Sequence, residues 1–579
     1  MKIRVKDKVY LIPIVAILII ACLCLINIGR LNYAAVLNDE FGYWGNAVSI
    51  AGYDWKDLIA ETPYYAWGYS IWLVPIIALF PGMPVLWYKL AIILNIVFLS
   101  ISYGLCCKVA KKIFSNVNLK ILYVVSLIVI IYPSNIVYAQ VAWSETLLYL
   151  LMWVAVWLFL EIEESFSYKL LFLEIITLIY MYCVHARTIG VLGVGVIFLF
   201  FILIKNKKHP VLYLSIVAII GCGYFLNSCV KHIQLSELWE NSTTSNLNNV
   251  AVNSDTALSY LNLLTSNLRL FFDSLGGKMI YLLIGTGATL FVSVGIIIKQ
   301  LVKQKTAKYT GRSFLITKCF CISALVVAFG LDALQMMAWA GRKDCIVYAR
   351  YMENALGPVL LFSIVYTIVY VKESRILLGV AAIVFGIGIR SVYWRVLEAD
   401  GFFNSICSPI VGGFYDATDK DVDKAFLCIV IVCILFVAVL IGSTFVKNIN
   451  YRFVVITALF FVVYILLGNK CNIYMNTARD GFDSFVIPIY NEISDNYSDR
   501  EVYYMKNADL DLYSVNPKYL QFLIANQSIH VIEWEEFEEI KGNNPVVLIN
   551  TGDEEMTQFL EWEGMTLVKE TSNLTMYSY

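Results

Sequence analysis

The sequence predicts an α-helical polytopic membrane protein of about thirteen transmembrane helices, carrying a small C-terminal extracytoplasmic α/β domain. Three observations predict it. The 579 residues are 59% hydrophobic and only 15% charged, where a soluble domain carries roughly 25% charged residues. Apolar runs of spanning length recur from residue 9 to residue 468, separated by short charged stretches. Beyond residue 470 the chain turns acidic, less apolar and patterned. The net charge of −1 provides no footprint for nucleic acid.

The apolar runs lie at 9–29, 85–107, 119–133, 144–160, 169–184, 189–204, 210–230, 278–300, 319–340, 355–371, 376–393, 425–446 and 452–468. The first, "LIPIVAILIIACLCLINIG", has spanning length and lacks a small-x-small cleavage site, so a retained span is expected rather than a signal peptide. Lys and Arg collect on the cytoplasmic side of short loops. The N-terminus, "KVAKK" (108–112), "KNKKH" (205–209), "KQLVKQKTAKYTGR" (299–312), "KESR" (372–375) and "KNINYR" (447–452) all fall on one side when thirteen spans are counted. This predicts a multi-pass plasma-membrane protein with a cytoplasmic N-terminus. The apolar run 67–80 ends in "PGMP", and counting it as a span would invert the charge pattern downstream. It reads instead as a short interfacial or partly buried helix.

The outer face then holds a first loop (30–84), "PSNIVYAQVAW" (133–143), the "HART" turn (185–188), the loops 231–275 and 394–424, the segment 341–354, and everything after 469. Two domains follow: 1–469 in the membrane, with the first external loop as its chemical part, and 470–579 outside. In the tail, "EVYYM" (501–505), "SIHVIEW" (528–534) and "PVVLIN" (545–550) read as buried strands, with "MTLVKE" and "LTMYSY" closing the sheet. Helical stretches at 517–526, 535–542 and 554–564 alternate with them, predicting a partly parallel sheet. No Gly-rich phosphate loop or metal-ligand spacing occurs there. Most of the 14 Cys lie inside apolar runs and read as small buried hydrophobes; Cys345, Cys407 and Cys471 lie in or near loops, their pairing open.

Charge is scarce in this chain, so the external ionisable residues are informative. Asp39 and Glu40 follow the first span in "NDEFGYW" (38–44), and two readings fit them: first-turn helix acids, or carboxylates facing a cavity. Glu145 heads an apolar helix in "WSETLL". His185 and Arg187 occupy an external turn, and Arg350 stands between Tyr348 and Tyr351 before another span. A guanidinium donates two parallel hydrogen bonds and suits phosphate; a local acid such as Asp344 or Glu353 is the alternative partner. Carboxylates and arginines together on the outer face suit group transfer from a lipid-phosphate donor.

The order of these motifs resembles the GT-C glycosyltransferases, especially the protein O-mannosyltransferase and lipid A aminoarabinose transferase branch. The residues carrying the resemblance are "NDEFGYW", "ETPYYAWGY" (61–69), "ALFPGMPVLWYKL" (78–90) with Lys89, Glu145, Arg187 in "ARTIG", and Arg350-Tyr351. It covers roughly residues 1–370. Thr62 stands where the family has a Lys before Pro, and Glu145 where it has Asp. The resemblance implies a GT-C-like membrane glycosyltransferase, inverting, using a polyprenyl-phosphate sugar donor and a glycan, lipid or protein acceptor. It implies Asp39 as general base, with Glu40 and Glu145 orienting the acceptor or a divalent cation; no cofactor is otherwise implied. Arg187, Arg350, His185 and Lys89 would hold the donor phosphate. Tyr43, Trp44, Tyr64, Tyr65 and Trp67 suit sugar faces or the lipid interface, with the interface favoured. Competing readings are a lipid-linked-glycan transporter or flippase, which would need charge at mid-span, a glycan polymerase or ligase, and an inactive scaffold.

Overall fold

The computed structural model describes residues 9–35, 37–239, 261–306, 314–337, 343–398, 404–412, 422–507 and 514–579. The basic residues expected in the N-terminal octet and at 307–312 lie outside these. Among the described residues, eight helices are long and apolar enough to cross a membrane, and two bent pairs bring the number to ten. Tyr168–Val184, Val371–Glu398 and Val422–Ser443 occupy the remaining expected spans. The first has only 17 residues, and the second carries Lys372, Glu373 and Arg375 near its start. Thirteen crossings therefore stays an expectation.

Two expected spans are broken, each for a local reason. Leu119–Ile130 stops where Pro133 begins a second helix, Pro133–Ala139, at 58° to the first. Proline lacks the N–H to continue a helix but fits its first turn. The expected span 278–300 is two helices, Leu268–Thr286 and Thr289–Thr306, bent by 96°. The bend rests on Gly287 (φ +56°) and Ala288 (φ +62°). A Cβ at Gly287 would lie 2.6 Å from Leu440 Cδ1, so glycine is needed there for both backbone and space.

The first external loop folds into Leu37–Ile50, Lys56–Ala60 and Trp67–Leu79. The last of these has 13 residues, ending before "PGMP". At 1.5 Å per residue it spans about 20 Å, short of the roughly 30 Å hydrocarbon core. Gly42 and Gly45 share one face of the Leu37–Ile50 helix. A Cβ added at Gly42 would overlap the Tyr65 ring, and one at Gly45 would lie 2.8 Å from Ile59, so this face lets the rest of the loop pack tightly against it.

The Ile449–Asn496 helix, of 48 residues, runs across position 470 without a break. The change in composition there falls within a helix. Beyond it lies a five-stranded sheet ordered β2-β1-β3-β5-β4, with β1 Val502–Met505, β2 Ile529–Ile532, β3 Val546–Asn550, β4 Thr566–Glu570 and β5 Leu574–Ser578. β1 pairs in parallel with β2 and β3, while β5 runs antiparallel to β3 and β4. Successive residues of β1 serve opposite faces. Val502 and Tyr504 join the core continuous with the membrane helices, whereas Tyr503 and Met505 pack with Phe537, Met556 and Leu560 under the outer helices. Burial on both faces explains why β1, β3 and β5 read as apolar runs.

The sheet domain sits on the first external loop. Trp55 Nε1 donates to the Ala525 carbonyl at 3.0 Å, Lys506 pairs with Glu61 at 2.6 Å, and His530 Nδ1 meets Asp57 at 3.1 Å. The hydrogen bond to Asp57 raises the His530 pKa above its ordinary value, outweighing the lowering effect of partial burial. A group raised in the folded state stabilises fully below its unfolded pKa of about 6.5, and the contribution is lost as pH rises through the folded value. The thermal midpoint of the full chain should therefore decline more for wild type than for His530→Gln as pH rises from about 6 to 8. Parallel curves would show that this pair does not tie the domain to the loop.

Candidate active site

The Glu145–Glu164 helix begins at a buried point of the bundle, and its first residue faces two arginines. Glu145 Oε1 accepts from Arg187 Nη2 at 2.8 Å and lies 3.0 Å from Arg350 Nε. The second contact is an ion pair without hydrogen-bond alignment, since Arg350 Nε has no hydrogen-bond partner. Arg350 Nη1 also donates to Asp39 Oδ2, and the Tyr65 hydroxyl donates to Asp39 Oδ1. Both arginine side chains are at most 5% exposed. Buried guanidiniums stay charged, so the two carboxylates are needed to offset them.

Aromatic rings orient the cations. Arg187 lies over Tyr351 at 4.4 Å, and Arg350 over Trp143 at 4.5 Å. Such contacts add roughly 1–2 kcal/mol each when desolvated. Arg187 Nε and Nη1 have no hydrogen-bond partner among the described residues. Unspent donors on a buried cation cost stability unless something else accepts from them. Counted as charges, Asp39, Glu145, Arg187 and Arg350 cancel. An anion would therefore be drawn by directed N–H groups rather than by net charge.

The structure thus brings together Asp39, Glu145, Arg187, Arg350 and Tyr65. Tyr43 lies beside them: its hydroxyl donates to Ser144 Oγ at 2.8 Å and its ring packs on Tyr65. His185 Nδ1 accepts from the Arg187 backbone N–H at 3.4 Å, holding the turn that carries the arginine. Lys89, half-buried, has no hydrogen bond or ion pair among the described residues. Glu40 points elsewhere. Its Oε1 accepts from Ala35 N at 2.6 Å, and its Oε2 from Tyr88 at 2.7 Å and Ala142 N at 2.7 Å.

Of the aromatics expected at the lipid interface, Tyr43, Trp44, Tyr64 and Tyr65 are buried in the protein instead, and Trp67 is half-buried. Trp44 packs against Tyr88 and Phe522, and Tyr64 donates to Gln234 at 2.9 Å while packing on Trp239. Trp67 Nε1 donates to Asn227 at 2.9 Å. The physical reason is the cover supplied by the C-terminal domain and by the Val211–Leu238 helix, which extends past its expected end. Arg350 pairs with Asp39 and Glu145 rather than with Glu353, which accepts from Ser134 (2.5 Å), Tyr138 (2.5 Å) and Tyr281 (2.7 Å).

The sequence reads as lacking charge at mid-span of the kind a transporter would need, and the structure differs. Lys278 and Asp332 form a fully buried pair at 3.6 Å within two helices. Glu174, buried in Tyr168–Val184, has no hydrogen-bond partner for either oxygen among the described residues. Nothing in a local pattern pairs Lys278 with Asp332; only the presence of charge in an apolar run marks them. Among the described residues no two cysteines form a disulfide, Cys345, Cys407 and Cys471 included.

Solved structures of a membrane protein share this fold over nearly the whole chain, the C-terminal sheet domain included. The particular likeness is to ArnT from Cupriavidus metallidurans, a GT-C lipid A aminoarabinose transferase. Its crystal structure bound to undecaprenyl phosphate gives a TM-score of 0.55 at 10% identity, covering 98% of this chain and 97% of that one. Its apo crystal structure gives 0.52 at 10% identity, with the same coverage. No family model matches the chain, and no curated protein sequence does.

Gly42 offers a direct check of the packing beside Asp39. Gly42→Ala should push Tyr65 off the carboxylate and destabilise the protein by about 1–3 kcal/mol, as overpacking typically does. Thermal unfolding in detergent measures it; an unchanged midpoint would mean that Tyr65 is not held against this helix.

Proposed function

We propose that this protein transfers a sugar from a polyprenyl-phosphate donor to an acceptor at the outer face of the membrane, with inversion. The observation that carries the reading is the buried cluster of Arg187, Arg350, Asp39 and Glu145, in which two nitrogens of Arg187, Nε and Nη1, have no acceptor among the described residues. The ArnT structure holds undecaprenyl phosphate in the same fold, which supports a donor of this class here.

In this reading Asp39 removes the proton of the acceptor hydroxyl as its oxygen attacks the anomeric carbon. The bond from that carbon to the phosphate oxygen breaks, and its electron pair leaves with the polyprenyl phosphate. Arg187 supplies its free N–H groups to the growing phosphate charge, and Arg350 stabilises it from the other side, an effect worth several kcal/mol. Glu145 fixes both guanidiniums in place. Tyr65 sets the direction of the Asp39 carboxylate. His185 and Lys89 have supporting parts, His185 through the Arg187 turn and Lys89 from the neighbouring helix.

A divalent cation does not fit the residues present. Glu145 faces arginines and Glu40 is occupied by N–H and O–H donors. Among the described residues no group of three or more His, Cys, Asp or Glu is arranged to hold a metal ion. The transporter reading draws on Glu174 and on the Lys278–Asp332 pair, but among the described residues no hydrogen bond or ion pair joins the Glu174 carboxyl to that pair.

The test is to incubate the purified protein with polyprenyl-phosphate sugars and measure transfer or hydrolysis. On an active donor, Asp39→Asn should lower kcat by roughly 10²- to 10⁴-fold, while Arg187→Met should lower kcat and weaken donor binding together. Wild-type turnover in Asp39→Asn would remove it as the base. If no donor is consumed but a lipid-linked sugar crosses proteoliposomes, the transporter reading replaces this one.

A further inference from the structure

Asp39 stands between two residues that are each held by a buried cation from the far end of the chain. Before it, Asn38 Oδ1 accepts from Lys518 Nζ at 3.2 Å, and the same ammonium donates to the Glu61 carbonyl at 2.9 Å. Lys518 is fully buried, on the Val515–Leu523 helix of the C-terminal domain. Glu61 is held a second time, because its carboxylate pairs with Lys506. After Asp39, Glu40 accepts from the Tyr88 hydroxyl at 2.7 Å, and that hydroxyl accepts from Arg479 Nη2 at 3.2 Å. Arg479 is also buried and lies in the outer part of the Ile449–Asn496 helix, 5.6 Å over the Tyr88 ring.

We propose that Lys518 and Arg479 are positioning residues for Asp39, clamping the first turn of its helix on both sides so that its carboxylate meets Arg350 at fixed geometry. The inference rests on the proposed function for its consequence in turnover, though not for the clamp itself. Two features argue against mere structural support. Burying an ammonium and a guanidinium is costly unless each is aimed at particular acceptors. Lys518 is aimed at Asn38, across 480 positions of sequence, and Arg479 reaches Glu40 through the Tyr88 hydroxyl, donating as well to the Gln140 carbonyl at 3.4 Å. Phe522, one turn beyond Lys518, packs against Trp44 and Trp55, so the same short helix grips the Asp39 helix at its start and further along. The C-terminal domain then acts as part of the scaffold of the site. An acceptor-binding module would leave this turn unchanged when its contacts are removed.

The experiment compares full-length wild type with Lys518→Met, Arg479→Met, Lys518→Arg and Tyr88→Phe; the last removes only the oxygen linking Arg479 to Glu40. Backbone hydrogen exchange over residues 37–44 reads the clamp without any substrate, and residues 546–550 of β3 report whether the tail stays folded. With β3 protection retained, Lys518→Met, Arg479→Met and Tyr88→Phe should each raise exchange over 37–44 by about tenfold. Lys518→Arg should stay near wild type. On an active donor, kcat should fall by roughly 10- to 100-fold in the same variants, with KM shifting far less, as small misplacements of a reacting group do. Unchanged exchange over 37–44 in Tyr88→Phe and Lys518→Met would overturn the clamp. Raised KM with unchanged kcat would also overturn it, by making Lys518 and Arg479 substrate contacts. If wild type consumes no donor, the proposed function fails while the exchange result still decides the clamp.

Discussion

Two buried guanidiniums share one carboxylate oxygen, and the helix ends that meet there are arranged around that fact. Arginine cannot shed its proton to escape a low-dielectric site, so Arg187 and Arg350 must be matched by fixed acids. Glu145 matches both, with Asp39 completing the balance at Arg350. The elements that carry these residues come from four distant parts of the chain. Their meeting requires the bundle to close with little freedom, since a shift of one partner would leave a buried charge unmatched.

The surrounding architecture meets that requirement through close packing and directed hydrogen bonds to the carboxylates. Glycines at 42 and 45 let the first external loop lie flat against the Asp39 helix. The residues 133–144 reach both sides of the site. Ser134 and Tyr138 hold Glu353, three positions beyond Arg350, while Ala142 N holds Glu40 and Trp143 stacks on Arg350. Satisfied buried networks of this kind rigidify their neighbourhood. Pre-organised charge is what a phosphate leaving group needs, because reorganisation during reaction would be costly.

Much of this was legible in the sequence, for identifiable reasons. Apolar runs of spanning length report membrane helices whatever the tertiary contacts, and in the tail β1, β3 and β5 read as strands because they are buried on both faces, whereas β4 is mostly exposed. Asp39, Glu145, Arg187 and Arg350 stood out because charge is rare here and each sits at a helix end. What stayed hidden depends on contacts between distant residues. The sequence does not say that Glu40 turns away toward Tyr88, that Lys278 meets Asp332, or that Phe522 covers Trp44 and takes it from the lipid interface. The break at Gly287 was hidden because glycine is common in membrane helices, and only the neighbouring Leu440 shows why none other fits. Arg479 and Lys518 lie beyond the motifs that resemble GT-C enzymes, so no local pattern pointed to them.

The central claim is that the unspent donors of Arg187 receive a polyprenyl phosphate. A structure of the full chain with a short polyprenyl phosphate in a lipid nanodisc tests it most directly. The account predicts phosphate oxygens at about 3 Å from Arg187 Nε or Nη1, with the sugar lying between the phosphate and Asp39. A phosphate held elsewhere, with the Asp39–Arg350–Glu145–Arg187 cluster unchanged and closed, would contradict it.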